Sequence, residues 1–470
     1  MKKLYLFFSA LWLTIFLHAQ SIEKKHTHVL WTDNDTFSVR FSNYPGAPDR
    51  FQVSRKDTTD MGTDGAPGMY AMIYYGKDSM RVMYRNTPYF QVHYIPISSP
   101  KGKTIYRLHF NPFSADFPPE YIKANKGKVQ FEIPEVYELA NILWILSPSG
   151  RKASDLKQTG GYYETVLNHF KPWMDHPVFK KLDFPDSVYF SKYFDFRENS
   201  LAWSFKNNEM VYHGPYYYVM GNDWDEFNSI FKAQLPLIRD FVEKSNYRAF
   251  FKSKQGFYFR QIKRQQELMP VKKMWTWLED QFPARYNAYK IIFSPLITGS
   301  HSTQNFSTFQ YPDLFRETVM FVCGPDRFDS DKSLTEKQKE GLLSGVVFTE
   351  IDHNYVNPIS AKYRAQIDSI FSKPQFWVAA GSTSNWYSSA ESVFNEYMTH
   401  ALFCIYASEN YDRETASFII QKREALMVDG RHFIRFREFN KALMDLHEKN
   451  KNVKISDLYP ELLLWCSRQG

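Results

Sequence analysis

Cysteine is scarce in this chain, with three residues among 470: Cys323, Cys404 and Cys466. They are odd in number and far apart, and each closes an apolar run, FVC, LFC or LWC. A disulfide-stapled scaffold does not fit this usage; three buried thiols do, with a single disulfide as the lesser alternative. Long apolar runs are missing as well, except for one from Leu4 to Leu17. Nothing after it approaches the length of a transmembrane helix, so no stable membrane insertion is expected. Charge of one sign is also lacking. The net charge of +7 falls to +5 without Lys2 and Lys3, and the remaining Lys and Arg are interspersed with Asp and Glu. That balance describes an ordinary solvated surface and argues against a nucleic-acid partner.

The exceptional apolar run follows Lys2 and Lys3 and ends in His18-Ala19-Gln20. A basic start, a short apolar core and a small residue before a polar stretch describe a cleavable signal peptide cut after Ala19. The protein is therefore expected to be exported, to the periplasm or the extracellular space. No cysteine follows the run, so a lipid anchor is not expected.

The 18% of aromatic residues recur at core spacings, as in Trp224, Phe227, Phe231 and Ile238, and read as packing. From about Ser21 to Pro134 the runs TFSVRFS, MYAMIYY, SMRVMYR, YFQVHYI, TIYRLHF and VQFEI are β-branched and aromatic, with a hairpin turn at Gly76-Lys77-Asp78. They predict an antiparallel β domain, a sandwich or a strongly twisted sheet. The loop Asp60 to Gly68, DMGTDGAPG, fits no calcium-loop spacing and reads as solvent-facing. From Glu135 the period becomes helical. Val136, Leu139, Ala140 and Leu143 share a face, and further helices are predicted at Tyr162 to Trp173, Asp223 to Lys244 with a kink at Pro236, Gln261 to Glu267 and Val271 to Phe282. His169 and His176 read as surface residues. SLAWSF and EMVYHG form a hairpin about Lys206-Asn207-Asn208, while Ala288 to Leu296 and Glu317 to Cys323 read as buried strands. The fold class is α+β. The chain divides into a leader at 1–19, a β-rich region at 20–134, a mainly helical domain with a small sheet at 135–408, and a helical segment at 409–470 that reads as scaffold.

One stretch carries candidate chemistry. Ser333 with Glu336 makes a capping box that opens a helix to Tyr355, and Asn357-Pro358 closes it. Leu342, Leu343, Val346 and Val347 form its apolar stripe, which continues into Thr349, Glu350 and His353. HExxH presents two zinc ligands and a general base on one helical face. Here the frame is Thr349-Glu350-Ile351-Asp352-His353, which keeps the base and the second ligand and has Thr in place of the first.

These residues, with Val356, Asn357 and Pro358, resemble the helix His-Glu-Phe-x-His-x-x-Val-Asn-Pro of a family of secreted bacterial gluzincin-like metallopeptidases catalogued as a domain of unknown function. The resemblance extends to Pro134–Leu143, Ile291–Gly299 and Glu391–Leu402; Ile351 and Thr349 depart from it. It implies a zincin-like fold with zinc as cofactor, Glu350 as general base, and His353 and Glu396 as metal ligands. The ligand that replaces Thr349 stays open between His400, His301 and none. Two functions follow: a zinc hydrolase of peptides with a weakened metal site, or a pseudoenzyme that binds peptide or protein in the retained groove. No Ser-His-Asp or Cys-His hydrolase signature is present.

Overall fold

The computed structural model describes residues 117–212, 230–310, 313–379 and 389–469, a few single positions beside them, and the backbone of seven strands between 27 and 110. The expected leader, the loop Asp60 to Gly68, and Trp224 and Phe227 lie outside the described residues.

The N-terminal strands are β1 (Thr27–Thr32), β2 (Asp35–Phe41), β3 (Phe51–Arg55), β4 (Tyr70–Tyr75), β5 (Asp78–Met83), β6 (Gln91–Ser99) and β7 (Gly102–Phe110). They pair antiparallel in two sheets, ordered β1-β2-β4-β5 and β3-β7-β6. Tyr75 pairs with Asp78, as a hairpin between β4 and β5 requires, while Gly76 and Lys77 lie outside the described residues.

The strand β8 (Val129–Glu132) does not join them. It pairs parallel with β11 (Ala288–Ser294), which pairs parallel with β13 (Asp313–Cys323), and β12 (Ser302–Gln310) lies antiparallel at the far edge. Val129–Glu132, grouped by its composition with the N-terminal strands, thus belongs to the sheet beside the candidate chemistry. Composition marks a strand but not its partner. The order β12-β13-β11-β8 buries all seven residues of β11, the pattern of a strand covered on both faces. A separate hairpin pairs β9 (Trp203–Lys206) with β10 (Glu209–Tyr212) through Asn207 and Asn208, both at positive φ, as a two-residue hairpin turn requires.

One sheet face carries α1 (Glu135–Leu146), buried along its whole length after Glu135, with Tyr137 packed 5.6 Å from Phe321. The same face receives α2 (Tyr189–Asn199), whose Arg197 reaches β12. The other face carries α3 (Glu336–Ile351), followed after a single residue by α4 (His353–Ser360). The expected box of Ser333 and Glu336 is displaced by two residues. Thr335 caps the helix reciprocally with Gln338, Ser333 bonds Asp331, and Glu336 pairs with Arg264. Both pairs satisfy the same spacing, so the pattern alone could not choose.

Asn357-Pro358 does not close the rod either, because Pro358 lies inside α4. The carbonyl that its missing N–H leaves free, on Asn354, lies 3.4 Å from the Tyr286 hydroxyl, which donates to it. Pro236 likewise falls in the first turn of Leu235–Lys244, where its missing N–H costs nothing, and starts a helix instead of kinking one. The other helices predicted upstream are found at Gly161–Phe170, Gln255–Leu268 and Val271–Gln281. His169 is exposed, but His176 is buried, its Nε2 2.8 Å from Asp240 and its Nδ1 accepting the N–H of Val178.

Two further helices complete the site: α5 (Ala390–Asn410), capped by Ser389, and α6 (Arg413–Ala425), capped by Asp412. The three cysteines are free and buried. Among the described residues no helix is long and apolar enough to cross a membrane.

Candidate functional site

Four expected residues come together where α3 gives way to α4 and meets α5. Glu350 lies in the last turn of α3, His353 opens α4, and Glu396 and His400 lie one turn apart on α5. The Nε2 of His353 is 3.4 Å from one oxygen of Glu396, and the Nε2 of His400 is 3.5 Å from the other. Glu396 and His400 are nearly enclosed, whereas the His353 side chain keeps 30% of its surface exposed. The cluster therefore opens to solvent on the His353 side.

Thr349 is beside them and turned away. Its hydroxyl donates to carbonyls of its own helix, 3.0 Å from Gly345 and 3.2 Å from Val346, as a helical threonine without another acceptor does. His301 is elsewhere, ahead of β12, in the field of Arg327 and Arg197. Burial pushes its pKa down to about 3, and its Nε2 has no partner among the described residues.

The segment expected to be scaffold contributes two arginines. Arg431 follows a π-helical turn, Leu426–Gly430, and precedes His432, which sits in the left-handed region at φ 61°. Both features re-aim a backbone that would otherwise continue as helix. The guanidinium bonds Glu396 at 2.8 Å, His400 Nε2 at 2.5 Å and the hydroxyl of Tyr387, over whose ring it also packs. From α6, Arg423 reaches His400 Nδ1 at 3.0 Å. It passes over Gly345, where a Cβ would lie 2.1 Å from its Nη2, so the glycine makes its path. No spacing in the sequence singles out Arg423, Arg431 or Tyr387.

Burial opposes ionisation of Glu396, but Arg431, with His353 and His400, more than reverses this and holds its carboxyl well below the usual range. Burial also works against protonated His353. Glu396, Asp352 and Glu350 outweigh it and lift the pKa to about 9, so this ring is cationic at neutral pH. His400 is the opposite case. Burial pushes it down to about 3, helped by Arg431 and Arg423 and opposed by Glu396, so it is neutral. A neutral imidazole has one lone pair, and His400 can accept from only one of the two arginines that face its nitrogens.

Glu350 is pushed up by burial, with His353 countering and Glu396 reinforcing. Its Oε2 lies 3.3 Å from the Thr303 hydroxyl on β12. Along β12 the side chains alternate: Thr303 and Asn305 meet Glu350 and Asn354, while Ser302 and Gln304 bond Glu198 on the opposite face.

A catalytic zinc needs about three ligands with free lone pairs around one point and an open position for water. The donor set does not offer them. Thr349 is a neutral hydroxyl bonded to its helix, one oxygen of Glu396 is held by Arg431, and both nitrogens of His400 face guanidiniums. Among the described residues no group of three His, Cys, Asp or Glu is placed to hold a metal ion. A dication about 4 Å from a guanidinium at an effective dielectric of about 20 meets a repulsion on the order of 8 kcal/mol. The residues present do not fit zinc.

No protein-family model, no curated protein and no solved structure matches the chain.

Proposed function

We propose that this is an exported zincin-like pseudopeptidase, which binds an extended peptide or unfolded protein segment in the groove beside Glu350 without hydrolysing it through zinc. The observation that carries the reading is the position of β12. Among the described residues it is the edge strand of its sheet, it runs antiparallel to its neighbour, and Thr303 on it touches Glu350. An edge strand presents unpaired backbone N–H and C=O groups to which an extended chain can add. Thr349 argues for binding without cleavage, since its hydroxyl is committed to Gly345 and Val346.

One observation favours a second reading, a zinc hydrolase with an unorthodox site. His353 Nε2 and Glu396 Oε1, at 3.4 Å, have about the separation of two ligands of a tetrahedral zinc, near 3.3 Å, and Glu350 stands beside them as a carboxylate of raised pKa.

The two are separated by incubating the chain, without its expected leader, with a reduced and alkylated protein in the presence of zinc. Binding is followed by fluorescence anisotropy, the β12 amides by hydrogen exchange, and cleavage by mass spectrometry. The expected result is saturable binding with new protection at 302–310, no cleavage, and the same binding for Glu350→Gln. Cleavage that Glu350→Gln abolishes would establish the hydrolase instead, and absence of binding would sink the pseudopeptidase.

A further inference from the structure

We infer that Arg431 is a built-in cation that takes the electrostatic place of a metal at this site, and that Arg431, more than Thr349, keeps zinc out. The inference deepens the reading above and rests on it for the identity of the site. Glu396 is a nearly buried carboxylate between two cation-bearing groups, with the His353 ring at 3.4 Å on one oxygen and the Arg431 guanidinium at 2.8 Å on the other. That is the charge environment a metal ligand needs, with the positive charge carried by side chains.

The same guanidinium closes the route by which the missing ligand could be replaced. His400, one turn beyond Glu396, is the other imidazole within reach, and Arg431 lies 2.5 Å from its Nε2 while Arg423 holds Nδ1. To ligate a metal, His400 would have to present a lone pair on the side where Arg431 presents an N–H. A dication and a guanidinium sharing the oxygens of Glu396 would also repel. Restoring a histidine at 349 leaves both obstacles in place.

The arginine is held there by specific structure. The π-helical turn Leu426–Gly430 and the left-handed His432 direct the backbone, and the rings of Tyr387 and Phe433 flank the guanidinium at 5.5 Å and 5.7 Å. Arg431 is a quarter exposed, so its side chain meets solvent as well as Glu396. A ligand that reaches Glu396 therefore meets a guanidinium where a metallopeptidase would present zinc.

The test is zinc content by elemental analysis and zinc affinity by calorimetry on four chains: unaltered, Thr349→His, Arg431→Met, and the double variant. Arg431→Gln in the same background serves as a second replacement, and circular dichroism with thermal melting establishes that each chain is folded. The expected result is about one zinc per chain in the double variant, the stoichiometry of a single mononuclear site, and binding at least about tenfold weaker in Thr349→His alone. Equal affinity in Thr349→His and the double variant would overturn the role of Arg431 while leaving the degenerate zinc site intact. If folded double variants with Met and with Gln both fail to bind, the inference and the zincin reading of the site fall together. Stoichiometric zinc in the unaltered chain would also overturn it.

Discussion

Two carboxylate–guanidinium clusters lie on either side of β12, and they do different things with the same chemistry. Arg197 and Glu198, adjacent in sequence and both fully enclosed, pair at 3.2 Å. Arg197 also donates to the carbonyl of Ser300 and the hydroxyl of Ser302, and it packs 4.7 Å from the rings of Tyr193 and Phe194. Glu198 accepts from Ser302 and Gln304. The cluster fixes the start of β12, and its two charged side chains touch no solvent. Across the strand, Glu396 and Arg431 are brought together from distant segments, partly open to solvent, with a neutral imidazole that two arginines address at once. Nearly complete pairing inside the protein marks a structural lock. Pairing that is open to solvent and contested among donors leaves polar atoms that a ligand could engage.

The comparison breaks first at the lock. Glu198→Ala leaves the Arg197 charge buried and uncompensated, and a loss of about 3–5 kcal/mol is expected in denaturant unfolding. A loss below about 1 kcal/mol would mean that water reaches Arg197, and the contrast between the clusters would fail.

Next in size is Gly345→Ala. Its Cβ would lie 2.1 Å from Arg423 Nη2 and 2.7 Å from the Phe403 ring. Overpacking of about 1–3 kcal/mol should outweigh the roughly 1 kcal/mol that alanine gains as a helix former. A raised melting temperature would show that Arg423 moves freely and does not brace His400.

The groove cluster should show itself in pH dependence. With the pKa of His353 raised from 6.5 to about 9, its contribution to stability is fully present below pH 6.5 and lost as pH rises through 9. Glu396, held low, contributes above the ordinary carboxyl range and loses that contribution as pH falls through its lowered folded value. Melting temperatures should therefore decline between pH 6.5 and 9, and Glu396→Gln should flatten that decline. An unchanged slope in Glu396→Gln would remove Glu396 as the partner of His353.

The smallest effect is expected from Thr303→Val, which deletes the 3.3 Å contact with Glu350 at a cost of about 0.5–1.5 kcal/mol. Unaltered stability with weakened peptide binding would place Thr303 in the groove more firmly than in the fold.

Local regularities were legible from the chain. The helical period of Val136, Leu139, Ala140 and Leu143, a hairpin turn about Lys206-Asn207-Asn208, an apolar strand beginning at Ala288 and a helix carrying Glu350 all follow from spacing over a few residues, although His353 opens a second helix. That spacing constrains one element at a time. The pairing of Val129–Glu132 with β11, the edge position of β12 and the survival of α4 past Pro358 depend on distant partners, and no local period encodes them. Glu396 was expected only through the resemblance, and His400 only through its place one turn beyond Glu396 on the same face. Arg431 was not, since its aim comes from a π-helical turn and a left-handed His432.

By itself the sequence determined an α+β chain without a disulfide-stapled scaffold, and a helical stretch in which a glutamate and a histidine follow the apolar stripe. The tertiary structure alone decided the electrostatic identity of the site, because charges that cancel across 2.8 Å in space are separated by 35 positions in the chain. Coulomb energy depends on distance in space and on burial, and neither is written in the order of the residues.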